Sequence, residues 1–117
     1  MQHQKLTVSV IIPTLQEEKY IEAILQRLSK VKPQIERIVV DGGSQDRTTE
    51  LARRFTKRVY QTEKRGIAAG RNYGAEMAKG DILVFLDTDV TFPMAFAQKV
   101  LNAFSDPNVV GATCNIM

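Results

Sequence analysis

Residues 80–90 read GDILVFLDTDV: Gly80 and Asp81, the apolar run Ile82-Leu83-Val84-Phe85-Leu86, then Asp87-Thr88-Asp89-Val90. A short apolar run of about 4–8 residues bounded by turn formers reads as a buried strand. Before it, Gly66 to Ala78 reads as a helix rich in small residues. Ala68, Ala69, Gly70, Gly74, Ala75 and Ala78 suit it to close approach on a sheet, and Gly80 is placed to end it. After the strand, Thr91 and Pro93 form a cap and first-turn pair for a helix running to about Phe104. Val109 to Ile116 reads as a final strand.

The same alternation extends to the N-terminus. Val8 to Ile12 is a β-branched run stopped by Pro13, expected as a buried parallel strand. A helix is expected from about Glu17 to Lys30, with Tyr20, Ile21, Ile24, Leu25 and Leu28 on one face. Glu17 and Glu18 in its first turn and Lys30 in its last suit the helix dipole. Ile35 to Val40 is a second strand. Asp46 is placed to cap a helix from about Arg47 to Thr56, with Leu51, Ala52 and Phe55 inward. Arg58 to Gln61 is a short strand expected at an edge. Strands and helices alternate, with connections too long for hairpins. The fold class is α/β, a doubly wound, mostly parallel sheet with helices on both faces, and 117 residues suit one domain.

Composition narrows the chemistry. Cys114 is the only cysteine and His3 the only histidine, which excludes a zinc cage or a Cys-His or Ser-His-Asp triad. A metal must then be held by oxygen ligands, which favours Mg2+ or Mn2+. The net charge of +3 is scattered, so nucleic acid is not implied. No apolar run reaches the roughly 18 residues of a membrane span, and the N-terminus lacks signal-peptide regions. The expected location is the cytoplasm, with membrane association only through sequence not present here.

In such sheets ligands lie beyond the carboxyl ends of the strands. Pro13, Thr14 and Glu17 follow the first strand. Asp41, Gly42, Gly43, Ser44 and Asp46 follow the second. Asp87 and Asp89 follow the fourth. Residues two apart in an extended stretch point to one side, and two carboxylates on one side repel unless a cation or proton intervenes. A turn and helix cap explain the same two acids. Asp41 is placed to accept hydrogen bonds from a base or ribose, while its glycines let a ligand approach the backbone. A helix-entry loop capped by Ser44 or Asp46 explains that segment as well. Arg65 and Arg71 flank a glycine-bearing helix start and suit phosphate, though surface arginine is the commoner outcome.

Three segments together resemble the inverting glycosyltransferase family 2, which has the GT-A fold with a Rossmann-like nucleotide-binding half. They are VSVIIPTLQEEKYI, IVVDGGSQDRTTELA and RGIAAGRNYGAEMAKGDILVFLDTDV. The resemblance runs from residue 7 to about 113 and depends on their order and spacing. It implies that Pro13, Leu15 and Glu17 border the nucleotide. It puts Asp41 on the base, usually uracil, and Arg65 and Arg71 near the diphosphate or ordering its loop. Asp87 would lie near the ribose or sugar, and Asp89 would be the main metal ligand. Position 16, usually Asn in this motif, is Gln16. The implied donor is a UDP-sugar or GDP-sugar. The family's general base and acceptor half are expected beyond Met117, so these residues would carry the donor site alone. If further strands pair beside Ile82 to Leu86, that sheet edge would stand open here, to be covered by a second copy in a homodimer, by a shifted last strand or by aggregation.

Other readings keep the fold or the motif. A non-catalytic nucleotide-binding or assembly module would retain the donor site. Asp87-Thr88-Asp89-Val90-Thr91 also resembles the nucleophile loop of haloacid-dehalogenase-type phosphatases, but that loop follows the first strand of its fold. A nucleotidyltransferase would show a glycine-rich basic loop after its first strand, and a dehydrogenase a G-x-G-x-x-G there. Pro13-Thr14-Leu15-Gln16-Glu17 is neither.

Overall fold

The computed structural model describes residues 6–63 and 67–104. His3, Arg65, Cys114 and the strand expected at 109–116 lie outside them. The elements are β1 (Val8–Thr14), α1 (Ile21–Ser29), β2 (Glu36–Asp41), α2 (Thr48–Ala52), β3 (Val59–Gln61), α3 (Ile67–Met77), β4 (Ile82–Phe85) and α4 (Phe96–Phe104). The strands form one sheet in the order β3-β2-β1-β4, and each pairing is parallel. Pro13 does not stop β1; it sits opposite Val40 in the ladder with β2, and Thr14 opposite Asp41.

Alternation along the strands sorts the core into two layers. Val8, Val10 and Ile12 of β1, Val39 of β2 and Ile82 of β4 pack under α1, α2 and α4. Ile11, Ile38 and Val40 face the other way, against Tyr73, Ala75 and Ala78. Ile21, Ile24, Leu25 and Leu28 of α1 are all buried, each worth roughly 1.5–3 kcal/mol of burial before conformational entropy is set against it. The α3 side is thinner because the helix sits so close. A Cβ on Gly74 would lie 2.4 Å from Ile11 Cγ2, and one on Gly70 3.1 Å from Pro13 Cβ.

Several expected boundaries shift. α1 begins at Ile21 rather than Glu17, so Glu22 and Arg27, not Glu17 and Lys30, are its terminal-turn charges. Tyr20 leaves the buried face and is 42% exposed at the N-cap. α2 ends at Ala52, and the chain tightens into turns through Phe55. Asp46 is not at the N-cap position, which falls on Arg47, yet its Oδ1 accepts the Thr48 amide at 2.9 Å. α4 starts at Phe96, not at Thr91-Pro93. Arg27 of α1 donates to the Phe92 carbonyl at 2.8 Å and lies over its ring, which holds that segment outside the helix.

Gly80 does not end α3, which stops at Met77. Its glycine is needed because a Cβ would sit 2.4 Å from Ser9 Oγ and 2.8 Å from Ser9 N. Its amide donates to Ser9 Oγ at 2.8 Å, and Ser9 Oγ donates to Glu36 Oε1 at 2.7 Å. Glu36 also accepts the Lys79 amide at 2.9 Å and pairs with Arg58, which donates in turn to the Met77 carbonyl. Burial pushes the Glu36 carboxyl up, but the Lys79 amide, the Ser9 hydroxyl and the Arg58 guanidinium outweigh it and hold it below its ordinary value.

The apolar run of β4 suggests a strand covered on both faces. Instead Leu83 is 37% and Phe85 40% exposed, and β4 is an edge among the described residues, where an open edge was expected. Leu83 and Phe85 pair with β1 residues that face α3, namely Ser9 and Ile11, but α3 packs over β1 and β2. Among the described residues, no helix is long and apolar enough to cross a membrane.

Candidate functional site

A cleft of about 410 Å³ opens along the carboxyl ends of the strands. The first loop contributes Pro13, Thr14, Leu15, Glu17 and Tyr20; β2 and its loop contribute Val40 and Gly42. Thr62 follows β3, Gly70 comes from α3, and Asp87, Thr88 and Asp89 follow β4. Of the residues expected at a site, Pro13, Thr14, Leu15, Glu17, Gly42, Asp87 and Asp89 are thus brought together. Ser44 and Arg71 do not line the cleft, and Arg65 lies outside the described residues.

Asp41 departs from expectation. It is fully buried and does not line the cleft. Its carboxylate is already engaged by four donors: the Thr14 hydroxyl at 2.8 Å, the Ser44 hydroxyl, and the amides of Gly43 at 3.0 Å and Ser44 at 2.7 Å. A buried carboxylate demands such partners. Asp41 here folds the β2–α2 loop back on itself, with Gly43 at φ 107, the left-handed region glycine occupies freely. Gly42 then faces the cleft, and its amide donates to the Thr14 carbonyl at 2.9 Å.

Two hydroxyls tie that loop to the first one by the same device. Ser44 Oγ donates to Asp41 and accepts the Gln16 amide at 2.8 Å. Thr48 Oγ1 donates to Asp46 and accepts the Glu17 amide at 2.9 Å. The Glu18 amide donates to Asp46 at 3.2 Å, and the Gln45 amide to Gln16 Oε1. Burial pushes the Asp46 carboxyl up, but the Thr48 and Glu18 donors prevail and leave it lowered. Gln16 is held at φ 54, a conformation Asn adopts more readily than Gln. The long Gln16 side chain reaches across the gap between the loops.

On the other side of the cleft the chain alternates out, in, out. Asp87 and Asp89 are exposed, and Thr88 between them is 6% exposed. Thr88 Oγ1 donates to Glu17 Oε2 at 2.7 Å. Arg71 lies 4.0 Å from Asp87 and stacks over Phe85 with its guanidinium 5.8 Å from the ring centre. Among the described residues no group of three or more His, Cys, Asp or Glu side chains could hold a metal alone. Two neighbouring aspartates fit a hard divalent cation that takes one or two carboxylates and completes its shell with water and phosphate oxygens.

Tyr20, Val40, Thr62, Gly70 and Thr88 line the cleft without having been singled out as site residues. Thr62 follows a strand end, so the same strand-end rule reaches it. In sequence Gly70 and Tyr20 read as packing residues, and nothing local marks Thr88, whose partner Glu17 is 71 positions away.

The model of the family described as glycosyl transferase family 2 matches residues 9–117. The chain belongs to this family. Glycosyltransferase AglE of Haloferax volcanii is 35% identical over 111 residues, covering 87% of this chain and 36% of AglE. Mannosyltransferase PcManGT from Pyrobaculum calidifontis, solved with GDP-Man and Mn2+, superposes with a TM-score of 0.81 at 29% identity, covering 91% of this chain and 34% of that one. Glucosyl-3-phosphoglycerate synthase from Mycobacterium tuberculosis, solved with Mn2+, UDP-Glc and phosphoglyceric acid, gives 0.75 at 27% identity, covering 88% and 41%. The fold is GT-A. The chain thus spans less than half the length of each of these three proteins.

Proposed function

We propose that this chain forms the donor site of a metal-assisted glycosyltransferase, binding a nucleoside diphosphate sugar with Asp89 and Asp87 on a Mg2+ or Mn2+ ion. The observation that carries this reading is the pair of exposed aspartates at one side of a cleft lined by three other strand ends. The bound nucleotides and Mn2+ of the two structural relatives support it. Strand order sets the polarity of the site. Thr62, Gly42 and Pro13 lie toward the β3 side and suit the nucleoside, whereas the aspartates in the loop after β4 suit the diphosphate. When bound, the cation would neutralise charge developing on the leaving diphosphate. Arg71, beside Asp87, would share that charge. Glu17 is bonded to Thr88 and the two aspartates serve the cation, so no described carboxylate lining the cleft is assigned as general base. With Asp41 turned inward, the proposal of uracil as the base rests on the likeness to the synthase solved with UDP-Glc.

Calorimetric titration of the chain with UDP and GDP, with and without Mn2+, tests this. UDP should bind more tightly than GDP. Mn2+ should strengthen UDP binding by about tenfold or more, and Asp89→Ala should remove that gain. Nucleotide binding indifferent to both Mn2+ and Asp89→Ala would refute the metal assignment.

A further inference from the structure

We propose that Thr88 is a positioning residue: its hydrogen bond to Glu17 fixes the loop that presents Asp87 and Asp89 to the cleft. β4 makes its last backbone bond to the sheet at Leu86, whose amide donates to the Ile11 carbonyl at 3.0 Å. Beyond the loop, the Phe92 carbonyl is held by Arg27 at 2.8 Å. Between them the loop has one internal backbone bond, Val90 to Asp87, long at 3.3 Å. The Arg71–Asp87 pair is 4.0 Å apart and half-exposed on both sides, a geometry that holds little. Val90 packs part-buried against the core, and Thr88 supplies the short polar anchor of the loop: it is buried, and its 2.7 Å bond is to a carboxylate.

Glu17 is itself well held. Its amide donates to the hydroxyl of fully buried Thr48, and its carbonyl accepts the Tyr20 and Ile21 amides at 3.0 and 2.9 Å. The metal loop is therefore registered against the β2–α2 loop through Thr48, Glu17 and Thr88. The consequence for metal binding rests on the donor-site reading above; the ordering of the loop does not.

The experiment compares the wild-type chain with Thr88→Val, which keeps the shape and removes the hydroxyl, and Thr88→Ser, which keeps the hydroxyl. Hydrogen exchange of the amides at 87–90, without metal, reads the ordering directly. It should speed up by about tenfold or more in Thr88→Val and stay near wild type in Thr88→Ser. Mn2+ affinity in the presence of UDP, followed by electron paramagnetic resonance, should fall by a similar factor in Thr88→Val and recover in Thr88→Ser. Unchanged exchange in Thr88→Val, or equal acceleration in both variants, overturns the proposal. Exchange that behaves as expected in a wild-type chain that binds no Mn2+ would uphold the ordering role and refute the metal assignment instead.

Discussion

Replacing Gly74 with alanine adds one methyl group where α3 meets the sheet, and two effects compete. Alanine in a helix interior is favoured over glycine by about 1 kcal/mol. Against this, the new Cβ would sit 2.4 Å from Ile11 Cγ2 and 3.2 Å from Val40 Cγ2, where carbon atoms prefer roughly 3.5–4.0 Å. Ile11 is fully buried and Val40 is 1% exposed, so neither side chain can swing away. The helix must lift by about 1 Å, which loosens its contact with both β1 and β2. Overpacking costs roughly 1–3 kcal/mol, and an approach of 2.4 Å on side chains that cannot move puts it at about 2–3 kcal/mol, so the net loss should be about 1–2 kcal/mol. That lowers the melting temperature by roughly 5–10 °C in a domain this size. Urea and thermal unfolding measure it, and Ile11→Ala combined with Gly74→Ala should lose less than the sum of the two. A Gly74→Ala chain more stable than wild type by the full propensity gain would show that α3 is not seated as described.

Asp41→Ala should destabilise by about 3 kcal/mol, because the buried Thr14 hydroxyl and the part-buried Gly43 and Ser44 amides lose their acceptor. Asp41→Asn should be milder, since its oxygen can take those amides while the Thr14 and Ser44 hydroxyls turn to accept from its NH2 group. An Asp41→Ala chain with wild-type stability but no UDP binding would instead make Asp41 a direct ligand contact. Glu36 links stability to pH. Its folded pKa is lowered, so its stabilising contribution is complete above the ordinary glutamate value of about 4.3 and is lost as pH falls through the folded value. The stability gap between wild type and Glu36→Gln, from urea midpoints at several pH values, should therefore narrow below about pH 4. A gap constant from pH 7 to pH 3 would contradict this.

The order of strands and helices was legible because it is written in local pattern. The β-branched runs at Val8–Ile12 and Ile35–Val40, and the apolar spacing through Ile21, Ile24, Leu25 and Leu28, fall where elements form. The strand-end rule also gathered Pro13, Thr14, Leu15, Glu17, Gly42, Asp87 and Asp89 at one cleft. What local pattern misses are partners distant in the chain. The start of α4 depends on Arg27, 65 positions from the Phe92 carbonyl it holds. Gly80 reads as a helix stop, yet its lack of a side chain answers to Ser9. Asp41 looks like a ligand group in sequence because the Thr14 hydroxyl that helps satisfy it comes from another strand.

The bonds between the first two strand-end loops have a consequence for anyone altering this cleft. The amides of Gln16, Glu17 and Glu18 end on side chains of Ser44, Thr48 and Asp46, while the Gln45 and Arg47 amides return to the side chains of Gln16 and Glu18. The two segments are interlocked like the teeth of a closed zip. A relative's residues 14–20 transplanted alone would take away the Gln16 and Glu18 side chains and leave the Gln45 and Arg47 amides to find new acceptors, while Ser44, Thr48 and Asp46 would have to meet the amides of a foreign backbone. The exchangeable module is the pair, 14–20 with 41–48, and specificity swaps in this chain should move both at once.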